Sequence, residues 1–160
     1  MKARISQNDV IDTGLVEFVL PFDRGEEKIY FNPNDIDFFI RLTDMINSSS
    51  ELYEEKAELF EKEENEIEKM RIVDSLNEKI KKEVDVAFGN DVSSVLFKYC
   101  SPVSIVKSKN TLYLFYILDW ILPKIQKETQ ETSNNAKAAL DRAMAKHTQK
   151  YQSHNRYIKR

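Results

Sequence analysis

Cys100, His147 and His154 are the side chains best equipped for covalent or metal chemistry, and their settings argue against both. A nucleophilic thiol needs a neighbouring base or a lowered pKa. Cys100 instead precedes Ser101-Pro102 at the end of an apolar segment, where a small buried hydrophobe fits better. The two histidines, His147 and His154, stand seven positions apart in a basic stretch, whereas metal ligands on one helix face usually fall four apart. Both are expected to face solvent. The glutamate-rich stretch 54–68 could offer carboxylates to a metal, but its Glu and Lys residues recur at helical spacing, as on a solvated helix face. No phosphate-cradling Gly loop, Ser-His-Asp set or His-Glu-x-x-His pattern occurs in the sequence. No catalytic, cofactor-binding or metal-binding residue is assigned, and a non-enzymatic protein without a cofactor is expected.

The elements that would position any site follow from composition. The chain has 160 residues with only three Gly and four Pro, which favours long uninterrupted elements. One cysteine permits neither an intrachain disulfide nor a Cys-based zinc site, so a reducing compartment is expected. The N-terminus lacks the apolar run of a signal peptide. The most apolar stretch, Leu112 to Leu122, is interrupted by Asp119 and falls well short of the roughly 20 residues a membrane span needs. A soluble, mainly α protein with no membrane partner is expected.

Charge is unevenly spread. Net charge is −4 over residues 1–50, −6 over 51–90 and +7 over 91–160, which sums to −3. The acidic middle and the basic end could pair within one molecule, between subunits, or with an outside partner. The end interleaves Lys and Arg with Tyr151 and Tyr157, as a nucleic-acid-tracking arm does, but a pI near 5.5 and the lack of a reading motif weigh against nucleic acid.

Residues 15–31 read as a β-hairpin turning over Pro21 to Glu27, and Ile5 with Val10-Ile11 is a candidate third strand. A first helix begins near Asn32-Pro33-Asn34-Asp35, carries Ile36, Phe39, Ile40 and Ile46 at helical spacing, and should end at Asn47-Ser48-Ser49-Ser50. Residues 51–88 form one long acidic helical stretch. Unbroken, it would measure roughly 57 Å, against a radius of gyration of about 15 Å for a compact chain of this size. It must therefore break near 61–66 or project. Gly89 suits a helix C-cap, Asp91 the next N-cap, and Asn110 the cap of a helix from Thr111 that is apolar nearly all round. Pro123 should kink or break that helix. A helical domain over 1–135, with the hairpin at its start, and a basic, partly disordered tail over 136–160 are expected. The core should centre on Leu112, Phe115, Tyr116, Leu118, Trp120 and Leu122, packed by Val84, Phe88, Val95 and Leu96.

Several of these segments form a familiar series: Phe31-Asn32-Pro33-Asn34-Asp35-Ile36-Asp37-Phe38-Phe39-Ile40-Arg41-Leu42, an acidic helix, Ile80 to Gly89, Asp91 to Phe97, and Ser101-Pro102-Val103-Ser104-Ile105-Val106. In that order the chain resembles, over residues 15–130, the tail assembly chaperones of long-tailed (siphovirus-type) phages and prophages of Gram-positive bacteria. The resemblance implies a non-enzymatic protein of the host cytoplasm, absent from the mature virion. It implies a role in binding the tape measure protein and helping the tail tube polymerise around it, with the tail tube protein as a further candidate partner. Family members are commonly also made as a longer frameshifted product. The Ala-, Gln- and Lys-rich end after about residue 130 departs from the shared pattern.

A client that is itself a long helix calls for an exposed apolar surface. Phe31, Phe38, Phe39 and Leu42 are the candidate partner-binding residues, because Phe38, Leu42 and Met45 fall off the stripe of Ile36, Phe39, Ile40 and Ile46. The alternative is that hairpin and core helix cover both faces. Self-association through the hairpin or the first half of the long helix is also expected, since two strands alone are marginal in water. An oligomeric phage or bacterial adaptor, with a nucleic-acid-binding basic tail, is the alternative function.

Overall fold

The computed structural model describes residues 10–128 and 138–148. Its elements run β1 (Val16–Phe22), β2 (Gly25–Phe31), α1 (Phe38–Lys62), α2 (Glu66–Phe88), α3 (Ser93–Leu96), β3 (Ile105–Val106), β4 (Thr111–Leu112), α4 (Tyr113–Glu128) and α5 (138–148). The protein is mainly α with a small N-terminal hairpin, as the composition suggests. Val10 and Ile11 form no third strand and lie exposed, and Ile5 falls outside the described residues.

β1 and β2 pair antiparallel with Val16 opposite Phe31 and Phe22 opposite Gly25, so the turn is the two residues Asp23-Arg24. Period-2 alternation turns Phe18, Leu20 and Phe22 of β1, and Ile29 and Phe31 of β2, inward. The hairpin finds its support within its own chain. Phe31 stacks on Phe18 (4.6 Å) and on Phe38 of α1 (5.1 Å), and meets Phe88 of α2 edge-on at 5.0 Å.

Residues 32–37 are a turn rather than the start of a helix. Asn32 Oδ1 accepts from the Asn34 N–H and Asp35 Oδ1 from the Asp37 N–H, and helix begins at Phe38. Arg41 ties this turn to the end of α2, donating through Nη1 to Asp35 Oδ2 and through Nε to the Ala87 carbonyl. The backbone N–H of Asp37 and then the Arg41 guanidinium hold the Asp35 carboxyl below its ordinary pKa.

α1 does not stop at Asn47-Ser48-Ser49-Ser50. Ser49 and Ser50 are buried, and the helix runs on to Lys62. Tertiary packing overrides the weak helix preference of these four residues. The break falls instead inside the expected window, at Glu63-Glu64-Asn65. There the Asn65 side chain accepts from the Ile67 and Glu68 N–H groups and starts α2. The long acidic stretch is thus an antiparallel helical hairpin.

Gly89 ends α2 in the left-handed conformation (φ +71°), its N–H bonded to the Asp85 and Val86 carbonyls. The cap of α3 is not Asp91. The Asp85 carboxylate reaches back from α2 to accept the Val92 and Ser93 N–H groups and the Ser93 hydroxyl, at 2.7–2.9 Å. Asn110 likewise caps no helix. It takes a positive φ (+51°) in the turn joining β3 to β4, and α4 starts at Tyr113. Pro123 is accommodated within α4 rather than ending it.

One apolar cluster joins the hairpin, α1, α2, α3, α4 and α5. Leu112, Phe115, Leu118 and Leu122 are buried with Val84, Phe88 and Leu96, while Tyr116, Trp120 and Val95 are partly buried against them. The expected division at 135/136 does not hold for 138–148. These residues form a helix whose Leu140, Ala143 and Met144 belong to the same core.

Candidate functional site

Phe31, Phe38, Phe39 and Leu42 are at most 1% exposed, so they are core and not a docking surface. The helical phase read from Ile36 is wrong because Ile36 precedes the helix. Counted from Phe38, the inward positions are Phe38, Phe39, Leu42, Met45 and Ile46, with Ile36 and Ile40 facing solvent. Hairpin, α1 and α2 converge on this cluster, which forms one continuous face of α1.

The unpartnered apolar surface lies elsewhere. From residue 51 to residue 75 no residue is buried, although Ser50 before and Leu76 after both are. These halves of α1 and α2 form an arm whose base, at Leu52 and Tyr53, packs against the core, and which runs on from Tyr53 for about 14 Å. It carries ten acidic and four basic groups, a net charge of −6. Lys69 lies over the Phe60 ring at 5.1 Å, and Arg71 and Lys69 pair with Glu68 and Glu66 one turn away. Such exposed pairs contribute little to stability, so the uncompensated carboxylates set the arm's potential.

Between the two helices runs a groove of about 300 Å³, lined by Tyr53, Ala57 and Phe60 of α1, Ile72, Val73 and Leu76 of α2, and Val103, with Lys56 and Glu61 as its charged members. Burial, and then the Glu61 carboxylate, push the Tyr53 phenol above its ordinary pKa, so it stays protonated. Leu59, Phe60, Ile67 and Met70 leave large apolar surface exposed on the same arm. An apolar floor on an acidic arm fits an amphipathic helix flanked by Lys or Arg.

Cys100 is half-buried in the wall of a separate cleft of about 480 Å³ between the β1–β2 turn and α4, whose lining includes Phe22, Tyr99, Tyr113, Tyr116 and Trp120. Burial foremost pushes the Tyr113 phenol up to about 12, so it is no acid or base near neutral pH. Beside Tyr99, Lys98 pairs with Glu27, which holds the Glu27 carboxyl below its ordinary pKa. Among the described residues no three His, Cys, Asp or Glu side chains converge as metal ligands, and no helix is long and apolar enough to cross a membrane. No protein-family model, curated protein or solved structure matches the chain.

His147 is not in solvent. It is 9% exposed on α5, with Nε2 at 2.9 Å from Asn47 Oδ1 on α1. Since Oδ1 can only accept, Nε2 carries the proton, and Nδ1 is buried with no partner among the described residues. Leu140, Ala143 and Met144 already mark a stripe, and His147 is its next member at helical spacing. His154 lies outside the described residues. Burial first, and then Lys146, lower the His147 pKa, opposed by Glu51. The unfolded chain therefore binds this proton more readily, so the contribution is intact above the ordinary histidine pKa of about 6.5 and is lost as pH falls toward the lower folded value. Thermal melts from pH 7.5 to 5 should show the wild type losing more stability than His147→Gln, which keeps a donor for Asn47. Parallel losses would show that this imidazole does not titrate with folding.

Proposed function

We propose that the protein is a non-enzymatic tail assembly chaperone that holds the helical tape measure protein of a phage tail through the arm groove. The observation that carries the reading is the groove itself, an apolar floor that begins at the core, at Leu76, Tyr53 and Val103, and opens along an acidic helical hairpin. A tape measure protein is a very long helical chain whose apolar stripes stay exposed until the tube surrounds it. Stripes flanked by Lys or Arg would match this groove in polarity and sign, with charge steering the encounter and apolar contact supplying most of the affinity. On this reading the protein works in the host cytoplasm and leaves before the virion is complete.

Titration calorimetry with a tape measure fragment, co-expressed from the neighbouring large helical reading frame, tests this. Phe60 is 38% exposed, so Phe60→Asp should leave the melting temperature nearly unchanged while weakening binding about tenfold or more. Equal affinities for the two proteins would sink the assignment. Self-association is a second reading, favoured by Leu59, Ile67 and Met70 on the arm. Sedimentation would then show an oligomer that Met70→Glu dissociates.

A further inference from the structure

We infer that residues 149–160 of the same chain occupy the arm groove when no client fills it, and so regulate access to it. The inference rests on the groove's chemistry and holds whatever the client proves to be. The described structure ends at Thr148, immediately after His147, which is held to Asn47 on α1 and lies close enough to Glu51 to feel its charge. Tyr53, the near end of the groove, is two residues beyond Glu51 on the same helix, and Glu61 marks the far end about 12 Å further on. Twelve residues can span about 40 Å. That is enough to pass round a helix of about 10 Å diameter and follow the groove along its length.

Composition matches the destination. Residues 149–160 contain Lys150, Arg156, Lys159 and Arg160, no acidic residue, and the large apolar side chains Tyr151, Tyr157 and Ile158. The segment therefore brings +4 to an arm of −6, together with side chains that fit an apolar floor. A short tether sets the local concentration at about 1 mM. A contact with an intrinsic dissociation constant of about 0.1 mM is then occupied about 90% of the time, and a competitor must overcome a roughly tenfold handicap. A client with several stripes meets that demand, whereas a stray basic peptide does not.

The test is fluorescence anisotropy with a labelled synthetic peptide of residues 149–160 and two full-length chains. One is the wild type, and the other carries Lys150→Glu, Arg156→Glu, Lys159→Glu and Arg160→Glu. The peptide should bind the charge-reversed chain about tenfold more tightly than the wild type, and adding Phe60→Asp to the charge-reversed chain should abolish that binding. Equal affinity for both chains, no binding to either, or indifference to Phe60→Asp would overturn the inference. A difference that disappears on diluting the protein would assign the groove to the tail of a second copy and also overturn it. None of these outcomes depends on a tape measure fragment, so this result and the calorimetric one fail separately.

Discussion

Phe38→Ala will cost the protein about 3–5 kcal/mol of stability, against a total of about 5–15 kcal/mol for a domain of this kind. Phe38 is fully buried and its ring contacts Phe31 at 5.1 Å, Phe39 at 5.5 Å and Phe88 at 5.6 Å. It therefore joins the hairpin, α1 and the end of α2, and truncation leaves a cavity where three elements meet. At about 2–4 °C per kcal/mol for a chain of this length, the midpoint should fall by roughly 6–20 °C. A stable, well-folded variant with impaired client binding would instead restore this residue to the surface. Any loss of binding by Phe38→Ser must be read beside its melting curve.

Leu140→Ala should cost about 2–5 kcal/mol, although Leu140 lies in the stretch whose sequence reads as a basic tail. The side chain is fully buried in the common core, and α5 is further held by the His147–Asn47 contact. Denaturant unfolding of the full chain is the measurement. A midpoint shift equivalent to less than about 0.5 kcal/mol, the size expected for a surface change, would return 138–148 to the role of a solvated appendage.

The legible parts of the sequence were those where one local signal was strong. Gly89 suited a left-handed cap at the end of α2, the length of 51–88 placed a break near 61–66, and the apolar run 112–122 marked the core. The phase of α1 was hidden because its true start is set by the Asp35–Asp37 turn, which leaves Ile36 outside the helix. α5 showed in sequence only as the short, weakly apolar stripe of Leu140, Ala143 and Met144, because its next buried member, His147, is polar. The groove was less visible still. In sequence Leu52, Leu59 and Phe60 look like a thin stripe, and a floor forms only when antiparallel pairing sets Ile72 and Val73 opposite Tyr53, Ala57 and Phe60. Asp85 displaced Asp91 as the α3 cap for a similar reason, since a contact from an earlier helix has no local signature.

The central claim is that the two helix halves between residues 51 and 75 project from the core and receive the client. Hydrogen–deuterium exchange of the full chain, free and with a bound tape measure fragment, reads this directly. In the free protein, amides of 51–62 and 66–75 should exchange far faster than those of 38–50 and 76–88, because local opening of the arm exposes little buried surface. Client should slow exchange chiefly in the arm. Uniform protection along both helices, or client protection confined to the β1–β2 hairpin or to α4 and α5, would contradict the account.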